Sequence, residues 1–219
     1  MDSLQAALER GSGELGLVLT QPQSASLLAY LELLRNWGRV YNLTAVRDPR
    51  EMLTHHLLDS LAVVAPLLRE MAKMGLADGA RLLDVGAGAG LPGAVIAVCC
   101  PGVSVTCVDT VAKKVAFVRQ VTVNLCLPNL RAIHARVETL TEPYDVVASR
   151  AFASLVDFTQ WSANALAPGG VWVAMKGKYP EDEIARLPPD VQVFHVEQLQ
   201  VPGLEAQRCL VWIGRRSSA

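Results

Sequence analysis

The stretch LLDVGAGAGLPGAVIAVCC, Leu82–Cys100, opens a run from Val85 to Val108 that contains no charged residue. Its twenty-four uncharged residues exceed the roughly 20 needed to span a bilayer. Five of them are Gly (Gly86, Gly88, Gly90, Gly93, Gly102) and two are Pro (Pro92, Pro101), so a single helix through the run would break repeatedly. Asp84 and Asp109 bracket it, and LPG and CPG mark turns inside it. The run therefore reads as strand, glycine loop, short helix, turn and second strand. Unbroken apolar strands of this kind belong to parallel sheets covered on both faces.

Outward from this stretch, short β-rich runs alternate with helical patterns. RLLDVG is followed by a helix from Pro92, and VSVTCVD by a helix across Lys113 to Cys126; LRAIHA comes next. YDVVASR then leads into a helix around Ser154 to Leu166, and the turn APGG feeds VWVAMKG. Such alternation predicts a parallel sheet wrapped by helices. Residues 191–201 and 208–216 read as two strands joined by a short Gly-containing loop, with no helix between them, and so should pair antiparallel. The expected fold class is α/β: a Rossmann-like, mostly parallel seven-stranded sheet with an antiparallel last strand.

Before residue 75 the period is helical. Leu27, Leu28, Leu31, Leu34, Trp37 and Tyr41 fall at spacings of three and four, and Met52, Leu53, Leu57, Leu58, Leu61 and Val64 repeat the pattern ahead of Pro66. We expect an N-terminal helical segment, 1–75, packed on a core, 76–219, as one unit.

With 219 residues, 51% hydrophobic and 19% charged, the chain can bury a full core. A net charge of -1 gives no global pull toward nucleic acid or lipid, so a polyanionic partner would have to meet a local basic patch. The five cysteines show no metal-ligand spacing and are expected as buried thiols in a reducing cytoplasm. MDSLQAALERG lacks the basic and apolar regions of a secretory signal. No metal site and no membrane span are expected.

Gly88, Gly90 and Gly93 satisfy G-x-G-x-x-G, and Asp109 stands 19 residues after Gly90 at the end of the next strand. A nicotinamide dinucleotide or S-adenosylmethionine would suit such a loop, since both need close backbone approach and a carboxylate for ribose hydroxyls. Three features favour methyl transfer: Asp84, which would repel a pyrophosphate; APGGVWVAMKG; and the terminal antiparallel pair. Asp109 serves the ribose, caps the following helix, or does both.

The end of the fourth strand reads SRAF, Ser149–Phe152. It offers neither the Asn/Asp-Pro-Pro-aromatic acceptors of exocyclic amine methylation nor a nucleophilic Cys. A ring nitrogen such as guanine N7 needs neither, only positioning in a water-poor pocket. Hence no catalytic acid or base is assigned, and Arg150 is the one candidate: it grips a carboxylate of the cofactor, donates to guanine O6, or forms a surface ion pair. Arg136, Arg150, Lys176 and Lys178 should emerge at the carboxyl side of the sheet. Arg35, Arg39, Arg47 and Arg50, on the helical segment, either fold over that rim toward a structured RNA or form a solvated face.

Taken together, WGRVYNLTAVRDPREML (37–53), HHLLDSL (55–61), DVGAGAGLPG (84–93), VDTVAKKVAFVRQV (108–121), ARVE (135–138), SRAFASL (149–155) and MKG (175–177) resemble the glucose-inhibited division protein B family. These are bacterial 16S ribosomal RNA guanine-N7 methyltransferases. The resemblance covers about Leu27 to Ile213. It implies S-adenosylmethionine at Gly86, Leu91, Val137, Glu138 and Arg150, and 16S ribosomal RNA or the small subunit as partner of a cytoplasmic monomer. Asp84, Gly88, Gly90 and Asp109 join the cofactor set on the loop reading, with Glu138 near the adenine amino group. Asn42, Arg47, His56, Arg136 and Lys176 are the RNA-side candidates, His56 either shaping the pocket or only packing. Two positions depart from the family: Ala87 replaces a common Thr or Ser, and His55 a common Arg. The competing readings are an NAD-dependent oxidoreductase and a catalytically silent ribosome assembly factor.

Overall fold

A computed structural model describes residues 3–41, 43–76 and 79–216. Seven strands form one sheet in the order β3-β2-β1-β4-β5-β7-β6. They are β1 (Arg81–Val85), β2 (Ser104–Asp109), β3 (Leu130–His134), β4 (Tyr144–Arg150), β5 (Leu166–Lys176), β6 (Val191–Leu199) and β7 (Arg208–Arg215). The first five pair in parallel, while β7 runs antiparallel to both β5 and β6, as the sequence pattern leads one to expect. The order reverses at β1 and β4, so the crevice for a ligand opens at their carboxyl ends.

Alternation along the central strands explains why they are apolar throughout. Leu82, Val146, Val173 and Leu210 join one buried cluster, while Leu83, Val147, Trp172 and Val211 join another on the opposite face. Helices cover both. The first cluster also takes in Leu27, Leu34, Leu57 and Leu61, so the N-terminal helices and the sheet share a single core.

Those helices are α1 (Leu4–Glu14), α2 (Gln21–Tyr41), α3 (Pro49–Met52), a π-helical stretch (Leu53–Leu58), α4 (Asp59–Leu61) and α5 (Val64–Lys73). Pro66 does not end the pattern. It sits in the first turn of α5, where a missing N–H costs no intrahelical bond. Asp48 caps α3 through the Arg50 and Glu51 amides.

Later in the chain come α6 (Gly93–Cys99), α7 (Ala112–Asn124), α8 (Leu155–Trp161) and α9 (Glu181–Ala185). The expected helix from Ser154 to Leu166 is shorter than its pattern. It stops at Trp161, passes through a tight turn at Ala163–Ala165, and Leu166 already pairs with Tyr144. The APGG turn is then a bulge: Leu166 faces Tyr144 and Val171 faces Val146, with Gly169 at φ +75° absorbing the extra residues. Helix α1 falls within the expected helical segment, while α9 was not expected; three acids after Pro180 were the available signal for it. Of the five cysteines, Cys126 is exposed at the end of α7 rather than buried. Among the described residues no helix is long and apolar enough to cross a membrane.

Candidate functional site

The glycine loop is built by backbone geometry. Gly86, Gly88 and Gly90 all take positive φ, +65°, +59° and +82°, a region that L side chains rarely enter. The Gly86 and Ala87 amides donate to the Val108 carbonyl, tying the loop to the end of β2. Asp109 completes this tie. Its Oδ2 accepts from the Gly88 amide at 2.9 Å and its Oδ1 from the Val111 amide at 2.8 Å. Asp109 thus braces the turn ahead of α7 and fixes the loop at once.

Asp84 lies beneath the loop, fully buried, with Oδ2 accepting from the Gly93 amide at 2.8 Å. Its Oδ1 has no partner. Burial raises its pKa to about 7, against the lowering effects of the Gly93 amide and Arg150. A side chain at Gly93 would strike Cys107 Sγ at 2.6 Å and Asp84 Oδ2 at 2.8 Å, which is why a glycine stands there. A longer-range prop comes from α2: the buried Tyr30 donates through Oη to the Ala89 carbonyl at 2.9 Å.

Three depressions meet at the ends of β1, β2 and β4. One of about 380 Å³ runs from Gly86 past Asp109 to Val137 and Glu138 and is walled by Phe152 and Trp161. Those two rings pack edge to face, 5.8 Å between centroids. A second, about 250 Å³, lies between the loop (Gly86, Gly88, Leu91) and Thr44, His56 and Arg150. A third, about 480 Å³, is lined by His55, His56, Asp59, Arg150, Lys176 and Arg208 among others. Ala151 lines all three and holds φ +53°, an uncommon conformation for a residue with a Cβ.

Gly86, Gly88, Leu91, Asp109, Val137, Glu138 and Arg150 line these depressions, whereas Asp84 and Gly90 are buried behind the loop. Glu138 is held by Arg136 at 2.8 Å, and that hydrogen bond keeps its carboxyl below the usual range. Arg150 is not a surface ion pair. Its Nη1 donates to Asp59 at 2.9 Å and to the His55 carbonyl at 3.2 Å, and Asp59 is buried.

The RNA-side candidates divide. His56 lines both inner depressions, with Nε2 2.8 Å from Thr44 Oγ1 and Nδ1 without a partner. Burial, then Arg150, lowers its pKa to about 4, so it is neutral near pH 7. Lys176 is engaged by Glu183 at 2.8 Å and the Ala153 carbonyl, bracing β5 against α8 and α9. Arg47 reaches back to the Gly38 carbonyl, and Arg136 is exposed beside Glu138. Asn42 lies outside the described residues.

Sequence reasoning missed Phe152 and Trp161 as pocket walls, Tyr30 as the loop's prop, and Asp59 and Arg208 altogether. Lys114, 3.7 Å from Asp109, stood within a motif already singled out.

This geometry has relatives. Residues 23–211 match the GidB family, described as rRNA small subunit methyltransferase G. A protein of Acidovorax ebreus (strain TPSY) named ribosomal RNA small subunit methyltransferase G is 64% identical over 215 residues, which cover 96% of this chain and 95% of that protein. One of the same name from Polaromonas sp. (strain JS666 / ATCC BAA-500) is 64% identical over 212 residues, 97% of this chain and 94% of its own. Among solved structures, TrmN from Thermus thermophilus superposes with TM-score 0.56 at 19% identity, covering 72% of this chain and 49% of its own. Ribosomal protein L11 methylase from Lactobacillus delbrueckii subsp. bulgaricus gives TM-score 0.53 at 13% identity, covering 71% of this chain and 80% of its own. At such identities the likeness is one of fold.

Proposed function

The chain belongs to the rRNA small subunit methyltransferase G (GidB) family, and we propose that it transfers a methyl group from S-adenosylmethionine to N7 of a specific guanine in 16S ribosomal RNA of the small subunit. Its fold is that of the Rossmann-like class I methyltransferases. The observation that carries the reading is the meeting of three depressions at Ala151, which lets a cofactor and an acceptor approach each other at one point.

The residues fit the cofactor. The positive-φ loop presents backbone rather than side chain beside an open depression, and two carboxylates, Asp109 and Glu138, stand at its far side. S-adenosylmethionine, when bound, supplies an electrophilic methyl on a positively charged sulfur. Phe152 and Trp161 would wall the adenine, Glu138 would serve its amino group, Asp109 and the loop at Gly86–Gly90 would hold the ribose, and Leu91 and Val137 would pack against the ligand. Asp84 orients the loop from below.

The chemistry asked of the protein is then positioning. The residues lining the third depression include no Cys, and their one carboxylate, Asp59, is committed to two arginines. His56 is neutral, and His55 is the other imidazole in the lining. An acceptor with its own lone pair suits such a pocket, because it has no proton to lose before reacting. Guanine N7 is that acceptor, with Arg150 at the seam between acceptor and cofactor. Arg47, His56, Arg136 and Lys176 edge the RNA side. We read the chain as a monomer acting in the cytoplasm, where it meets ribosomal subunits. Leu34, Thr44, His56 and Asp59 of the helical segment line the second and third depressions, which supports reading that segment as part of one unit with the core.

The test is transfer of labelled methyl to small subunits from cells lacking this protein, followed by borohydride and aniline cleavage at N7-methylguanine. A single new cut, lost with Gly86→Asp and Arg150→Ala, is expected. Label without a cut moves the target off N7. Cofactor binding without label favours the silent assembly factor, and saturable nicotinamide binding the oxidoreductase.

A further inference from the structure

Asp59 lines the third depression and not the two beside the glycine loop, and it is the most constrained charge on the acceptor side. It is 2% exposed and accepts two charge-assisted hydrogen bonds from distant segments: Oδ2 from Arg150 Nη1 at 2.9 Å, across 91 residues, and Oδ1 from Arg208 Nε at 2.7 Å, across 149. We propose that Asp59 is a positioning residue that sets Arg150 and Arg208 as a paired clamp for a phosphodiester of the RNA beside the acceptor base. This rests on the methyl-transfer reading above.

Three observations support it. The first is the donor inventory. Among the described residues Arg150 makes its bonds through Nη1, and Arg208 through Nε and, to the Gln207 carbonyl, Nη1. The Nη2 group of each is left without a bond, and both side chains line the 480 Å³ depression. Two guanidinium forks converging on one space match the oxygens of a phosphate better than the single acceptor of a base edge.

Charge is the second. Lys176 is neutralised by Glu183, so Asp59 with its two arginines leaves one net positive charge on this wall, the complement of one phosphodiester. The third is the local backbone. In the π-helical stretch Leu53–Leu58 the Asp59 amide bonds back to Thr54, one residue beyond the α-helical partner, and Arg150 takes the His55 carbonyl that an α-helix would have given to Asp59. Irregular turns of this type recur at functional sites. This one aims the carboxylate and a carbonyl at the same arginine.

The experiment compares wild type, Asp59→Asn and Arg208→Gln by steady-state methylation of unmodified small subunits at several salt concentrations. Cofactor affinity by calorimetry and thermal unfolding are measured alongside. Both variants should raise KM for subunits about tenfold or more and leave cofactor Kd within about twofold. Arg208→Gln, which removes a cation, should flatten the slope of log KM against log salt by about one, the signature of one lost phosphate contact. The double variant should do little more than either single one, because the residues act as a unit.

An unchanged KM in a folded Asp59→Asn or an unchanged salt slope in Arg208→Gln overturns the proposal, as does a loss of cofactor affinity equal to the loss for subunits. If Asp59→Asn does not fold, the slope of Arg208→Gln decides. Arg208→Lys should then restore the slope but not KM, since it returns the charge without the fork. No label with wild type sinks the methyl-transfer reading itself, an outcome distinct from label with unaltered kinetics.

Discussion

The two halves of the strand-end surface are made differently. On the cofactor half the ties are short in sequence and mostly end on backbone: Asp84 to Gly93, Asp109 to Val111, Gly88 to Asp109. On the acceptor half they are side chain to side chain between remote segments: Asp59 to Arg150, Asp59 to Arg208, Lys176 to Glu183 braced on the Ala153 carbonyl. A backbone-built site has no rotamer to adjust and fails sharply when crowded. A side-chain clamp fails by degrees, in the affinity for whatever it grips.

The largest expected effect follows from the first kind of construction. In Gly86→Ala the new Cβ would stand 2.6 Å from Phe152 Cδ2, at a φ of +65°. Left-handed strain of roughly 1–2 kcal/mol and overpacking of about 1–3 kcal/mol add, and relief requires the Phe152 wall to retreat. Cofactor Kd, measured by calorimetry, should rise by about 30-fold or more. An unaltered Kd would mean that neither the loop nor Phe152 borders the cofactor.

Asp109→Ala should come next. It removes the acceptor of two amides, Gly88 and Val111, in a residue that is 8% exposed. Leaving both unpaired costs roughly 2 kcal/mol or more. The loss should be visible as weaker cofactor binding together with a lower Tm. Asp109→Asn, which keeps one acceptor oxygen, should fall between this variant and wild type.

Tyr30→Phe tests the comparison itself, because Tyr30 props the glycine loop from across 59 residues. The phenylalanine keeps the packing on Phe117 but strands the Ala89 carbonyl. At about 1 kcal/mol, the cofactor Kd should rise roughly fivefold, with KM for subunits little altered. An effect on subunits instead would show that α2 serves the acceptor half.

The same contrast explains what could be read from the sequence. The parallel sheet, the glycine loop and the reversed β7 follow from patterns spanning a few residues, since hydrophobic alternation and G-x-G-x-x-G declare themselves locally. Asp84 and Asp109 could be placed beside the loop for that reason, whereas Gly86 and Glu138 were singled out by the family resemblance. Asp59 and Arg208 were not. Each looks like an ordinary surface charge until the fold brings α4 beside β4 and β7, and no spacing rule spans 149 residues. Lys176 shows the converse error: its position at a strand end was legible, its commitment to Glu183 was not. The helix after Ser154 was overdrawn because Ala and Leu suit a helix as well as the bulged start of β5.

A last test sets the halves against each other by pH. Asp84, on the cofactor half, has its pKa raised from 3.8 to about 7, chiefly by burial, so the folded chain holds a proton between those values that the unfolded chain has lost. Its contribution to stability is complete below the lower value and disappears as pH rises through about 7. His56, on the acceptor half, has its pKa lowered from 6.5 to about 4, again chiefly by burial, so its contribution is present above 6.5 and is lost as pH falls toward 4. Between pH 7 and 5 each is worth about 2 kcal/mol by linkage, with opposite signs. Urea unfolding at the two pH values should therefore rank the change in stability on acidification as His56→Gln above wild type and wild type above Asp84→Asn. Equal changes in all three would mean that neither group is buried as it stands in this fold. Equal changes in wild type and Asp84→Asn alone would mean that the unpaired Asp84 oxygen finds a partner that keeps the carboxylate charged, and the floor of the glycine loop would then have to be redrawn as an ionic site.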